Sequence, residues 1–253
     1  MYARLFVLIV SFCISTFVNS TPLAKKGPVH VFITAGQSNT DGRISNKQLP
    51  SYIKSLATDT VDYKEGKYPF CKIIQNNVSG QFIPFWPKGR LTDGLWAYDA
   101  ITYHLIENAI QEDFYVVKWA VGGTSIAYPN DTTKGRYWSA DTDWLKNTTS
   151  TQNGGKSLLL SFTEAIDSAI DQTLSKIEQG YHIDAFLWHQ GESDSKYNGD
   201  YYKELKDVIN HVRNHLTQKT GTNYLNLPFV FGTVPRANRQ YSPKVEAAML
   251  KIA

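Results

Sequence analysis

Short apolar runs alternate with segments of helical periodicity from residue 29 to residue 252. The runs are rich in β-branched and aromatic residues, and they predict strands over residues 29–35, 115–121, 183–188 and 228–234. Between and after them, apolar residues recur every three or four positions, which predicts helices over residues 95–111, 159–177, 202–216 and 243–252. Because strands that alternate with helices form a parallel sheet covered on both faces, the pattern predicts a single α/β domain.

Two segments lack this periodicity. Residues 41–94 are expected to be mostly loop with one edge strand near residues 72–74, and residues 127–156 form a second polar and aromatic loop. Long irregular segments in compact domains are more often functional than accidental. In the helix predicted over residues 95–111, the apolar face is expected to contain Tyr98, Ile101, Leu105 and Ala109.

The first 20 residues differ from the rest of the chain. Arg4 precedes an apolar stretch from Leu5 to Val18. The stretch is followed by small residues up to Ser20, at the positions that a signal peptidase recognises. This pattern predicts a signal peptide over residues 1–20, a mature domain over 21–253, and a secreted or secretory-lumen location. The alternative is an uncleaved membrane anchor, but about 14 apolar residues fall short of the roughly 20 that span a bilayer.

Composition narrows the class further. The net charge of +3 is spread along the 253 residues, which argues against a nucleic-acid partner, and no later segment predicts a membrane span. Cys71 is the one cysteine of the predicted mature chain, so no intrachain disulfide can form. Sequons at Asn77, Asn130 and Asn147 predict N-glycosylation in a eukaryotic secretory pathway.

Three predicted strands end in blocks that carry reactive or small residues: Gly36-Gln37-Ser38-Asn39, Gly122-Gly123-Thr124-Ser125 and His189-Gln190-Gly191-Glu192-Ser193-Asp194. In parallel sheets, ligands bind outside the carboxyl ends of the strands, so the three blocks are expected to lie along one edge. A serine that follows a buried strand can serve as an exposed nucleophile, or it can cap a helix. The glycines can supply oxyanion donors or simply turn the chain.

Together these blocks resemble the motifs of the sialate O-acetylesterase and carbohydrate esterase family 6 branch of the SGNH (GDSL-like) hydrolases. The likeness extends from about residue 29 to about residue 240. It implies a three-layer α/β sandwich around a five-stranded parallel sheet in flavodoxin-like order. It also implies hydrolysis of O-acetyl esters on an acetylated carbohydrate, through an acyl-serine intermediate and without a metal or organic cofactor.

Carried over by position, the resemblance makes Ser38 the nucleophile. The N–H groups of Ser38 and Gly123 and the side chain of Gln190 would form the oxyanion hole. Gln190 stands where other branches use Asn, and Gln37 stands where they use Asp. His189 and Glu192 are expected to support the site or to supply a substitute base, and Gln37 and Asn39 flank the nucleophile.

In this family a histidine acts as the catalytic base, and the aspartate that orients it stands three residues earlier in the sequence. None of the six histidines (His30, His104, His182, His189, His211 and His215) has that partner, so the domain is expected to be truncated at its C-terminus ahead of this pair. Two other functions stay open: a non-catalytic carbohydrate-binding relic and an esterase of lipid or small acyl esters. The sequence does not distinguish sialic acid from acetylated xylan. The loop aromatics Tyr128, Tyr137, Trp138 and Trp144 could stack on sugar rings or pack within the loop.

Overall fold

A computed structural model describes residues 27–51, 68–85, 94–129 and 135–253. The predicted signal peptide over residues 1–20 and the sequon at Asn130 lie outside these ranges. A mixed sheet, mostly parallel, has helices on both sides, which confirms the α/β prediction. No helix within the described ranges is long and apolar enough to cross a membrane.

The elements follow the predicted alternation. The strands are β1 Val29–Gly36, β2 Ile44–Ser45, β3 Cys71–Gln75, β4 Ile83–Pro84, β5 Leu95–Trp96, β6 Phe114–Ala120, β7 Tyr181–His189 and β8 Phe229–Phe231. The α-helices are α1 Ser38–Asp41, α2 Asp99–Ile110, α3 Thr142–Lys146, α4 Leu158–Gln172, α5 Tyr201–Thr220 and α6 Pro243–Ile252. Short 3-10 helices cover Asn46–Gln48, Thr151–Asn153, Leu174–Lys176 and Glu192–Asp194.

The main sheet has the order β4-β3-β6-β1-β7-β8, and β2 and β5 form a separate pair. Five of its strands are parallel, while β4 runs antiparallel to β3. If only the five parallel strands (β1, β3, β6, β7 and β8) are numbered 1 to 5 along the chain, their order in the sheet is 2-3-1-4-5. Strand β3 pairs with the outer side of β6. Without β3, the remaining strands keep the 2-1-3-4 order of a flavodoxin-like sheet. The edge strand expected near residues 72–74 is β3, but β4 forms the actual edge.

Both faces of the sheet are buried, which explains the continuous apolar runs. One face packs against α4, α5 and α6, with Val31 and Ile33 of β1 in that core. The opposite face packs against α2, where Tyr103 contacts the other cluster of strand side chains. This arrangement confirms the three-layer sandwich. The Cys71 thiol is free and buried in the second core, and burial raises its pKa well above the ordinary value.

The predicted apolar face of α2 is wrong in its second half, whereas Ile101 in the first half packs against a small apolar cluster. Leu105 is 58% exposed and Ala109 is also exposed, whereas the buried side includes Asp99 and Glu107. Asp99 forms an ion pair with buried Lys118, and Glu107 accepts hydrogen bonds from two backbone N–H groups. Because these partners satisfy the buried carboxylates, the helix can turn a partly polar face inward, which a hydrophobicity pattern does not reveal.

Candidate active site

The carboxyl ends of β1, β6 and β7 lie side by side in the middle of the sheet. Gly36 at the end of β1 is opposite Ala120 of β6 and His189 of β7. The three sequence blocks follow directly from these strand ends, so the structure brings them to one edge as predicted. This edge is where ligands bind in parallel sheets.

Gly36 allows β1 and β7 to approach closely before the chain turns. Its φ of 151° is unfavourable for residues with a side chain, and a Cβ there would lie 2.1 Å from the His189 carbonyl oxygen. That carbonyl accepts hydrogen bonds from the Gln37 N–H at 3.0 Å and from Thr40 Oγ1 at 3.1 Å. The turn that carries Ser38 is therefore fixed to the end of β7.

Ser38 is the first residue of α1 and is half-buried. The residue at the N-cap is Gln37, so Ser38 does not have the capping role that the sequence left open. Within the described ranges, the hydrogen bond to Ser38 Oγ comes from Gln37 Nε2 at 3.4 Å, and no histidine bonds to it. The hydroxyl is therefore placed at the strand end without a base in contact.

Gln190 lies at the centre of a buried hydrogen-bond network and is 0% exposed. Its Nε2 lies 3.1 Å from both Gln37 Oε1 and the Thr124 carbonyl oxygen, and it also donates to the Asp194 carboxylate. Its Oε1 accepts from the Tyr201 hydroxyl at 2.8 Å. An amide nitrogen has two hydrogens, so three protein acceptors already surround both of them in this conformation.

The Asp194 carboxylate, which the sequence did not single out, joins the second block to the third. It is fully buried and accepts from Ser125 Oγ, from the Ile126 N–H at 3.0 Å and from Gln190 Nε2. A carboxylate that accepts several hydrogen bonds holds its donors in a defined geometry. Asp194 therefore fixes the loop after β6, including the turn at Gly123, relative to the end of β7. Its position in the third block was the one signal available from sequence.

Arg43 is a second residue that the sequence reasoning missed, because it lies outside the three blocks. Its guanidinium packs against Gly122, where a Cβ would lie 2.3 Å from Arg43 Nη2. The side chain is about half exposed, and Nη2 lies 3.1 Å from Asp41 Oδ2. The glycine at position 122 thus makes room for a cation next to the predicted oxyanion donor Gly123.

A cluster beside the turn that carries Ser38 consists of His189, Glu192 and Asn39. Asn39 Nδ2 donates to Glu192 Oε1 at 2.5 Å, and His189 Nδ1 lies 4.0 Å from the same oxygen. The imidazole also packs against Gly232 of the chain after β8 and lies beside the ring of Tyr98, at 6.2 Å between centroids. Burial lowers the pKa of His189, an effect that the Glu192 charge partly opposes, so the imidazole is neutral at neutral pH.

The other predicted features lie apart from this cluster. Asn77 and Asn147 are exposed, as glycan attachment requires, and glycosylation stays a prediction. Trp138 is buried between Phe162 and Trp188 and therefore packs in the core. No group of three His, Cys, Asp or Glu residues in the described part of the chain is arranged to hold a metal ion.

Solved structures that share the fold include the following two. A protein from Arabidopsis thaliana is 18% identical, with a TM-score of 0.54 over 89% of this chain and 82% of that one. NanS is 13% identical, with a TM-score of 0.55 over 89% of this chain and 74% of that one. No curated protein matches the chain in a sequence comparison. Residues 28–253 match the sequence model described as carbohydrate esterase, sialic acid-specific acetylesterase, and the chain therefore belongs to this family of carboxylic ester hydrolases.

Proposed function

We propose that the chain is a secreted enzyme that hydrolyses O-acetyl esters on carbohydrates through an acyl-serine intermediate at Ser38. The observation that carries the proposal is the position of Ser38, at the carboxyl end of the central strand β1 and between the ends of β6 and β7. The family of the chain supports the acetylated carbohydrate as the substrate class.

In this mechanism, Ser38 Oγ attacks the acetyl carbonyl carbon and its proton passes to a base. The bond from the acetyl carbon to the sugar oxygen then breaks, the sugar oxygen takes up a proton, and water releases acetate from Ser38 in a second attack. The oxyanion would be stabilised by the N–H groups of Ser38 and Gly123. Gln190, the third proposed donor, would exchange one of its protein acceptors for the substrate oxygen.

A base must activate Ser38, because a serine hydroxyl is a poor nucleophile by itself. The neutral His189 is in the protonation state that a base requires, but its Nδ1 faces Glu192, and no hydrogen bond joins it to Ser38. We therefore assign His189 to support of the site, with a substitute role as base to be tested. The Asp-x-x-His pair implied by the family resemblance stays a prediction.

One observation favours an acidic sugar over a neutral one. The guanidinium of Arg43 lies against Gly122, next to the proposed oxyanion donor, and it carries five N–H donors suited to a carboxylate. Asp41 already contacts one of its nitrogens and would compete with the substrate. Arg43→Gln should therefore raise KM for an acetylated sialic acid and leave KM for acetylated xylan unchanged.

The test of the reaction is acetate release by the purified chain from p-nitrophenyl acetate, acetylated sialic acid and acetylated xylan. Ser38→Ala should abolish release, while Ser195→Ala, a matched substitution in a nearby loop, should retain it. Equal rates in wild type and Ser38→Ala would overturn the nucleophile assignment. A folded wild-type chain that binds the sugar without releasing acetate would favour the non-catalytic alternative, and preference for long-chain acyl esters would favour the lipid esterase.

Secretion is tested separately, by expression of the full chain in a eukaryotic host. N-terminal sequencing of the protein in the medium should begin at Thr21, the residue after the predicted cleavage site. Protein retained in the cell with Met1 intact would contradict the signal peptide. Removal of glycans by an amidase should increase gel mobility, and single Asn→Gln changes at Asn77, Asn130 and Asn147 would show which sequons are used.

A further inference from the structure

A groove of about 920 Å³ lies on the surface formed by the loop after β6 and the segment around α3. Its volume falls in the range of roughly 300–1,000 Å³ that is typical of ligand sites. Its walls include Tyr128, Trp144, Asp141, Lys146, Asn147 and Lys156. None of these residues belongs to the cluster around Ser38, so the groove is separate from the reactive centre.

An exposed aromatic ring forms one wall of this groove. Tyr128 is 43% exposed, and one face of its ring stacks on Trp144 with the centroids 5.1 Å apart and the planes at 23°. The ring of Tyr137 is nearly perpendicular to that of Tyr128, at 82°, and their centroids are also 5.1 Å apart. Trp144 itself is only 9% exposed. Because two neighbouring rings support Tyr128, a ligand could stack on it with little loss of side-chain freedom.

The rest of the wall is polar, which indicates the class of ligand. The lining includes two threonines, two glycines and four charged residues, namely Asp141, Asp143, Lys146 and Lys156. A long acyl chain requires an apolar slot, whereas a sugar ring presents C–H groups to an aromatic face and hydroxyl groups at its edge. The combination of one stacked tyrosine with many hydrogen-bonding groups therefore fits a saccharide.

The groove is also connected to the reactive centre by a short stretch of chain. Tyr128 is five residues after Gly123, so their Cα atoms are at most about 18 Å apart. The intervening Ser125 forms a β-bridge with Tyr137, and its carbonyl accepts from the Trp138 N–H at 2.9 Å. The loop that carries the proposed oxyanion donor thus continues directly into the wall of the groove.

We propose that this groove is a carbohydrate-binding subsite, which holds sugar units of a longer substrate next to the unit whose acetyl group reacts at Ser38. This inference rests on the proposed function and extends it from an acetylated sugar to an acetylated oligosaccharide or polysaccharide. The stacking residue is Tyr128, Trp144 supports it from behind, and the polar wall binds the hydroxyl groups.

The experiment compares a large and a small substrate in protein made in a bacterial host, so that Asn147 carries no glycan that could fill the groove. Tyr128→Ala should raise KM for acetylated oligosaccharides by roughly tenfold, as expected for loss of one stacked ring face, and leave kcat/KM for p-nitrophenyl acetate unchanged. Tyr128→Trp should restore the low KM. Tyr202→Ala, the same substitution at a half-buried tyrosine of α5 outside the groove, should leave KM and kcat/KM unchanged for both substrates.

A binding measurement separates failure of the subsite from failure of the esterase function. Calorimetry with Ser38→Ala and deacetylated xylo-oligosaccharides or sialic acid oligomers requires no catalysis. Binding that Tyr128→Ala weakens would support the subsite even if the chain proved inactive on every ester. Equal binding and equal KM in the wild type and Tyr128→Ala would overturn it. Binding by Asn147→Gln but not by glycosylated protein would assign the groove to the chain's own glycan and overturn the substrate assignment.

Discussion

The side-chain amides of Gln37 and Gln190, which are 153 residues apart, are joined by a hydrogen bond of 3.1 Å from Gln190 Nε2 to Gln37 Oε1. Gln37 precedes Ser38, and Gln190 is fixed by Tyr201 on α5 and by Asp194. A continuous chain of hydrogen bonds therefore runs from a buried tyrosine to Ser38 Oγ. We expect substitutions along this chain to affect both the stability of the fold and the geometry at Ser38.

Gln37→Leu should destabilise the protein. The substitution removes the acceptor of the Gln190 amide and of the Ser193 N–H, so the free energy of unfolding should fall by about 1–3 kcal/mol. Urea unfolding of the wild type and Gln37→Leu measures the difference. A Gln37→Leu variant as stable as the wild type would show that these donors find other acceptors.

Gln190→Ala tests whether this amide also reaches the substrate. Loss of an oxyanion donor lowers kcat by about 10²–10³, whereas loss of a purely structural amide lowers stability and leaves the folded fraction active. Both kcat per folded molecule and the urea midpoint should therefore be measured. Tyr201→Phe is the matched control, because it removes the hydroxyl that orients Gln190 and keeps the amide itself. The donor role fails if the two variants have the same kcat.

Asp194→Asn should disturb the loop after β6. The wild-type carboxylate accepts hydrogen bonds from Ser125, Ile126 and Gln190, and the NH₂ group of the new amide would point at one or more of these donors. We therefore expect the free energy of unfolding to fall by at least ~2 kcal/mol. Activity should fall further than the loss of folded protein explains, because Gly123 belongs to the loop that Asp194 holds. Unchanged kcat in the folded fraction would separate Asp194 from the reactive centre. Asp200→Asn, at the exposed N-cap of α5, serves as a control for the change of charge.

Two half-buried histidines, His189 and His211, predict a loss of stability in mild acid. Burial lowers the pKa of His189, with Glu192 opposing, and burial and His215 lower that of His211. The unfolded chain regains an ordinary histidine pKa of about 6.5. Below that pH the unfolded chain binds more protons than the folded chain. The free energy of unfolding should therefore decrease as the pH falls below about 6.5. Above that pH these two histidines should contribute no pH dependence, because they are neutral in both states.

Urea midpoints at neutral pH and at about pH 5 test this window. His189→Gln should reduce the acid-induced decrease, and the same substitution at the exposed His182 should leave it unchanged. An equal decrease in His189→Gln and wild type would show that other groups cause it.

The ion pair between Lys118 and Asp99 offers a test of the fold that is independent of function. Their side chains are only 2% and 5% exposed. Asp99→Ala should lower the free energy of unfolding by about 3–5 kcal/mol, because it leaves a buried charge unpaired. The double variant Asp99→Ala with Lys118→Met should recover part of that loss. If the single and double variants are equally unstable, the cost comes from packing rather than from the unpaired charge.

The strands and helices around the site could be predicted because local sequence determines them. Strands β1, β6 and β7 are buried on both faces and read as continuous apolar runs, and each ends at a block with unusual chemistry. The sheet order could not be predicted in the same way. Strand β3 pairs with β6 about 40 residues away, and no local pattern identifies that partner.

Side-chain environments were harder to predict than backbone elements. Tyr128 and Trp138 occur in the same aromatic loop, yet one is exposed and the other is buried against the sheet. Asp99 and Glu107 can be buried because distant residues satisfy them, so the buried face of α2 is rotated from the one that the hydrophobic pattern predicts. Arg43 and Asp194 acquire their roles from contacts across the fold. Arg43 lies outside the three sequence blocks, and only its place in the third block distinguishes Asp194.

The hydrogen bonds between Asp194 and the loop after β6 have a consequence for engineering. The carboxylate fixes Ser125 and Ile126, whereas Tyr128, two residues further along, is free of that anchor and faces the groove. The boundary between the proposed catalytic part of the loop and its proposed recognition part therefore falls between Ile126 and Tyr128. Substitutions at groove residues such as Tyr128, Lys146 and Lys156 could change which polymer is accepted, while the buried Trp138 and the centre around Ser38 stay intact.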